Sequence, residues 1–146
     1  MFNNILVVCV GNICRSPMAE ALLRQALHEA NKSGYTVSSA GLGALVDHAP
    51  DKMACGLMLN KGIDISGYKA SQINTLLIRK ADLILVMESG HKNALVNQEP
   101  SAQGKVFRLG EWGEFDIPDP YQKDLAAFEN ALHLIEQGVA QWIKKL

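Results

Sequence analysis

Apolar residues in this chain follow two patterns, and the two alternate. Continuous apolar runs stand at residues 5–10 (ILVVCV) and within residues 82–87 (DLILVM). Such runs predict strands buried on both faces. Residues 35–40 and 105–109 predict two further strands. Between the strands, apolar positions step by three or four. Ala19, Leu22, Leu23, Ala26, Leu27 and Ala30 share one helical face, with Ser16 expected to cap the helix, Pro17 at its first position and Gly34 at its end. Shorter helices are expected over 51–60, 71–80 and 89–97. Leu125, Phe128, Leu132, Ile135, Val139, Trp142 and Leu146 form the apolar stripe of a long tail helix. Residues 110–121 hold two glycines, two prolines and no period, so they read as a loop.

Strands alternating with helices imply an α/β fold with a parallel sheet and right-handed crossovers. The 146 residues suit a single domain spanning 1–146. In such sheets ligands bind outside the carboxyl ends of the strands. Cys9 lies at that end of the first strand, and the loop carrying Asp119 follows the fourth.

Composition narrows the function by exclusion. Net charge is −1, which offers no field for nucleic acid or a membrane surface. The N-terminal apolar run is too short to span a bilayer, and Asn3 and Asn4 precede it instead of a basic segment, so a cytoplasmic protein is expected. Three cysteines, an odd number, argue against a disulfide framework. The four histidines have no zinc-ligand spacing and read as surface or helix-face residues; no metal or other cofactor is expected.

The chemistry concentrates in Cys9-Val-Gly-Asn-Ile-Cys-Arg15-Ser16. A loop of Val10, Gly11, Asn12, Ile13 and Cys14 that runs into a helix N-terminus points several backbone N–H groups at one spot, an anion site. Gly11 permits backbone that other residues resist, and Asn12 tolerates the left-handed region. Arg15 offers a planar fork matched to two phosphate oxygens. The field that holds a dianion also favours a thiolate at Cys9, and Ser16 can donate to it. A thiolate facing a bound phosphoryl group is a nucleophile placed for in-line attack. Arg15 and the amides would stabilise the transferring group without a metal. In FDIPDPY, Asp116 and Asp119 are both candidate acids. Asp119 is the better one, because Pro118 and Pro120 restrict its backbone, and Tyr121 beside it can stack on an aromatic substrate.

These residues carry a resemblance. CVGNICRS near the start and DPY near the end, with SAG at 39–41 and DLILVM, resemble the low-molecular-weight protein tyrosine phosphatases over nearly the whole chain. The resemblance implies a four-stranded parallel sheet flanked by helices on both faces, with a phosphate-binding loop after the first strand. It implies Cys9 as the nucleophile of a phosphocysteine intermediate, Arg15 as phosphate binder, and Asp119 as acid and then base. Asn12 and Ser16 would shape the loop, and Leu42 and Tyr121 would wall the substrate cleft. Ile13, where related arginine phosphatases carry threonine, would favour phosphotyrosine. Cys14 resembles a second loop cysteine that can form a reversible disulfide with Cys9 under oxidant, and it reads equally as a packing residue of the loop. The opening MFNNILVVCVGNICRSP and SAGLGAL resemble the bacterial exopolysaccharide branch, which implies a partner tyrosine kinase with a tyrosine-rich tail that controls capsule or exopolysaccharide assembly. The chain departs from the family where HxAR is usual: it reads Tyr68-Lys69-Ala70-Ser71, so Tyr68 and Ser71 replace a His and an Arg.

Two other classes compete. An arsenate reductase on the same scaffold would relay a disulfide along a cysteine series, but Cys55 reads as a helix core residue and residues 70–95 hold no cysteine pair. A non-catalytic phosphotyrosine reader would have lost Cys9, Arg15 or Asp119, and all three are present.

Overall fold

A computed structural model describes residues 3–146. Four parallel strands form one sheet in the order β2-β1-β3-β4: β1 (Asn4–Cys9), β2 (Thr36–Gly41), β3 (Leu83–Val86) and β4 (Val106–Arg108). Central β1 pairs with β2 on one side and β3 on the other, so the chain reverses its direction of winding there. The carboxyl ends of β1 and β3 therefore open the crevice where doubly wound sheets bind ligands.

The sheet separates two apolar layers. Ile5, Val7, Leu83 and Leu85 face α1 (Arg15–Glu29), α2 (Lys52–Leu59) and α5 (Leu125–Ile143), whose Met18, Leu23, Met58, Phe128 and Ile135 complete that layer. Leu6, Val8, Ile84 and Val86 face α3 (Thr75–Lys80) and α4 (Ser89–Gln98) through Ile78 and Leu95. Helices on both faces explain why the strands are apolar without alternation. Among the described residues, no helix is long and apolar enough to cross a membrane.

Several boundaries differ from the sequence reading, each for a local reason. Ser16 does not cap α1: the helix starts at Arg15 with Cys14 in the cap position and no side-chain cap bond. Pro17 is consequently the third helical residue, not the first. Its far end comes at Glu29 rather than at Gly34, because Asn31 takes the left-handed turn (φ 57°) that glycine was expected to supply. Residues 71–73 are not helical. Ser71 and Ile73 bond through their backbones to Gly41, extending the sheet edge, and Asn74 caps α3 by accepting the Leu77 N–H at 2.8 Å. Within 110–121, Glu111–Gly113 forms a 3-10 turn.

Candidate active site

The loop from Cys9 to Ser16 is built by directing its carbonyls outward. The carbonyls of Cys9, Val10 and Gly11 accept N–H bonds from Leu42, Gly43 and Leu45 at 2.9–3.1 Å, and that of Ile13 accepts from Asp51 at 2.8 Å. Among the described residues, the N–H groups of Gly11, Ile13 and Cys14 donate to no protein acceptor. They face the mouth of the loop with the uncapped start of α1, which is the arrangement that binds oxyanions. The loop can come this close to β2 because position 41 is glycine. A Cβ there would stand 2.4 Å from the Val10 carbonyl oxygen. Gly11, by contrast, needs no glycine conformation: a Cβ would meet Ile13 at an ordinary 3.6 Å. The reversal falls one residue later, at Asn12 (φ 59°).

Asn12 is fully buried, and its side chain makes that conformation worthwhile. Its amide nitrogen donates to Ser16 Oγ (2.7 Å) and Ser39 Oγ (3.1 Å), and its Oδ1 accepts from the Tyr68 hydroxyl and the Ser71 N–H, both at 2.8 Å. Ser39 Oγ in turn donates to the Tyr68 hydroxyl oxygen at 2.7 Å. Tyr68, which stands where the family usually has histidine, thus supports the loop through Asn12 and Ser39, and the Ser71 N–H adds a further bond to Asn12. Burial is the largest influence on the Tyr68 hydroxyl and pushes it above its ordinary range.

Cys9 Sγ lies 2.9 Å from Ser16 Oγ and receives the Asn12 N–H at 3.3 Å. These two contacts hold the sulfur at the base of the loop. The neighbouring Cys14 thiol is pushed far up, first by burial and then by Asp51, Cys9 and Asp119.

Arg15 is only 1% exposed, so its charge requires partners. Nη1 donates to Glu88 Oε2 (3.0 Å) and to the Ile117 carbonyl (2.8 Å), and Nη2 lies 3.5 Å from Asp119 Oδ2. Ile117 reaches Arg15 because its own N–H donates to the Met87 carbonyl at 2.9 Å, which draws the acid loop along the end of β3. Asp119 Oδ1 accepts the Tyr121 N–H at 3.1 Å and the carboxylate stays half-exposed. Asp116 turns elsewhere, to Arg108 and to the Ser89 N–H, each at 3.2 Å.

A cavity of about 140 Å³ is lined by Cys9, Val10, Gly11, Ile13, Cys14, Arg15, Gly43, Leu45, Asp119 and Tyr121. The structure thus gathers around one cavity most of the residues singled out in the sequence, with Asn12 and Ser16 directly behind. Leu42 is the correction: it packs with the cluster of Leu6, Val8 and Ile73 on the other side of the sheet. The alternation of side chains past β2 sends Leu42 down and leaves Gly43 and Leu45 as the wall. Sequence reasoning missed Ser39, Leu45, Glu88 and His91. Glu88 carried a signal, being an acid just past a buried strand at the same sheet edge as a buried arginine. His91, expected at a surface or helix face, is 8% exposed and sits beside Glu88.

The family model described as "Low molecular weight phosphotyrosine protein phosphatase" matches residues 4–146. The chain belongs to this family of protein tyrosine phosphatases. It is 50% identical over 146 residues to the probable low molecular weight protein-tyrosine-phosphatase EpsP of Ralstonia nicotianae, covering 100% of this chain and 97% of that one. It is 46% identical over 147 residues to the Escherichia coli K12 protein-tyrosine-phosphatase Wzb, with 100% and 97% covered. The structure of Vibrio vulnificus Wzb in complex with benzylphosphonate superimposes with a TM-score of 0.93 at 42% identity, covering all of both chains. These relatives favour the phosphatase over the arsenate reductase that the sequence left open.

Proposed function

We propose that this protein hydrolyses phosphotyrosine through a phosphocysteine intermediate at Cys9, and that its substrate is an autophosphorylated bacterial tyrosine kinase with a tyrosine-rich tail that controls exopolysaccharide production. The observation that carries the chemistry is the Cys9 sulfur, held by Ser16 and Asn12 at the base of a cavity with Asp119 on its wall. In the first step the sulfur attacks phosphorus, the P–O bond to the tyrosine breaks, and Asp119 gives its proton to the leaving phenolate. The free Arg15 donors and the loop N–H groups take the equatorial oxygens. In the second step Asp119 accepts a proton from water, the water oxygen bonds to phosphorus, and the P–S bond breaks to release phosphate and thiolate.

Apolar Val10, Ile13, Leu45 and Tyr121 around the cavity suit an aromatic phosphoester. The likeness to EpsP and Wzb and the exopolysaccharide branch that the sequence resembles support the kinase partner, and an enzyme acting on a kinase tail inside the cell would work in the cytoplasm. Turnover of an aryl phosphate should proceed in EDTA and vanish in Cys9→Ser; undiminished activity in that variant ends the covalent reading. On a panel of phosphopeptides, tyrosine phosphate should be cleaved well ahead of arginine or serine phosphate. Preference for phosphoarginine would overturn the substrate reading.

A further inference from the structure

The buried Arg15 is fastened by Glu88, and Glu88 is itself fastened by a histidine that the chemistry above does not use. Glu88 closes the N-terminus of α4, where a reciprocal capping box joins it to His91. The Glu88 N–H donates to His91 Nδ1 at 3.2 Å, and His91 Nε2 lies 3.1 Å from Glu88 Oε2. The first bond identifies the tautomer. A nitrogen that accepts carries no hydrogen, so the neutral ring bears its proton on Nε2 and donates it to the carboxylate. The same Oε2 receives Arg15 Nη1 at 3.0 Å. Burial and the nearby Arg15 charge both lower the affinity of this ring for a second proton, in keeping with that neutral form.

We propose that His91 is a positioning residue for phosphate binding: its Nε2–H fixes the Glu88 carboxylate, which holds Arg15 Nη1 and so leaves the remaining guanidinium donors aimed at the oxyanion. An isolated glutamate at a helix start, 36% exposed, has rotamers that would let Arg15 swing. With His91 Nε2 and Arg15 Nη1 both on Oε2, one orientation remains, and Arg15 meets the phosphoryl group pre-aimed. The inference rests on Arg15 as the phosphate binder, and loss of phosphate inhibition in Arg15→Lys tests that reading on its own.

Two variants separate positioning from capping. His91→Asn places its carbonyl where Nδ1 stands, keeping the acceptor for the Glu88 N–H but losing the donor to Oε2. His91→Gln reaches the Nε2 position, keeping the donor and losing the acceptor. The inhibition constant of inorganic phosphate should rise about 3- to 10-fold in His91→Asn and stay within about 2-fold of wild type in His91→Gln. Alkylation of Cys9 gives a second reading. The rate ratio of anionic iodoacetate to neutral iodoacetamide should fall in His91→Asn by a similar factor, whereas general loosening of the site would move both rates together. An unchanged inhibition constant in the asparagine variant, or equal losses in both, overturns the proposal. The wild-type protein supplies a check independent of variant folding: nitrogen-detected NMR at neutral pH should show the Nε2–H tautomer, and an Nδ1–H tautomer would refute the relay.

Discussion

Tyr68 brings one hydroxyl to three groups: Asn12 Oδ1, Ser39 Oγ and the Ser39 carbonyl, the last at 2.9 Å. The residue shapes the loop without touching the cavity. Tyr68→Phe keeps the ring and removes these bonds. It should lower stability by about 1 kcal/mol and reduce kcat several-fold, since Asn12 then holds its left-handed turn with fewer contacts. Denaturant unfolding beside aryl phosphate turnover checks both, and a variant equal to wild type in each would show that the Ser71 N–H alone supports Asn12. At this scale Cys9, Arg15 and Asp119, which line one cavity, were legible as candidates in the sequence, because the chemistry proposed for them demands particular residue types at fixed spacing. His91 left no signal and Glu88 only its place just past a buried strand, because Arg15 and Glu88 stand 73 residues apart and meet only through sheet pairing.

Among the elements, the acid loop shows how two similar side chains part company. Asp119 and Asp116 belong to the same irregular segment. Asp116 is bound to Arg108 at the end of β4 and to the start of α4, whereas Asp119 projects over the cavity. Asp116 therefore anchors the loop, which leaves Asp119 as the proposed proton carrier. Asp119→Ala should reduce kcat by about 100-fold or more, and Asp116→Ala by less than about 10-fold. Comparable losses would dissolve the distinction. The strands were readable because burial on both faces leaves unbroken apolar runs. Helix starts were less so: Ser16 and Ser71 have the side chains of caps, yet one hydroxyl is drawn to the Cys9 sulfur and the other residue to the backbone of β2. Leu42 was misplaced because a resemblance carries a role and not the direction of a side chain.

For the whole molecule, two buried groups, Cys14 and His91, and the partly buried Tyr68 set a pH window. Cys14 ordinarily titrates at 9.0 and Tyr68 at 10.0, and both are raised, chiefly by burial. The unfolded chain releases these protons first, so the folded state holds more protons above about pH 9 and stability falls as pH rises. His91 is lowered from 6.5, again chiefly by burial. There the unfolded chain takes up the proton first, and stability falls as pH drops below about 6.5. Urea midpoints should therefore peak between these limits, and Cys14→Ala should flatten the alkaline limb. Parallel alkaline limbs in the two proteins would show that the buried thiol does not govern it.

The long reach of Arg15 has a consequence for when the enzyme becomes one. Everything that names the nucleophilic loop lies within residues 9–16, in the first ninth of the chain, yet the carbonyl that orients its arginine belongs to Ile117, 102 residues later. That segment is seated in turn by α5, where Trp142 donates to the Arg108 carbonyl at 3.1 Å and Gly138 lies so near Leu109 that a Cβ would come within 2.7 Å of its carbonyl oxygen. A nascent chain on the ribosome thus carries Cys9 and Arg15 early and the groups that hold Arg15 late. Aryl phosphate cleavage should therefore appear only once a growing chain is long enough to include α5.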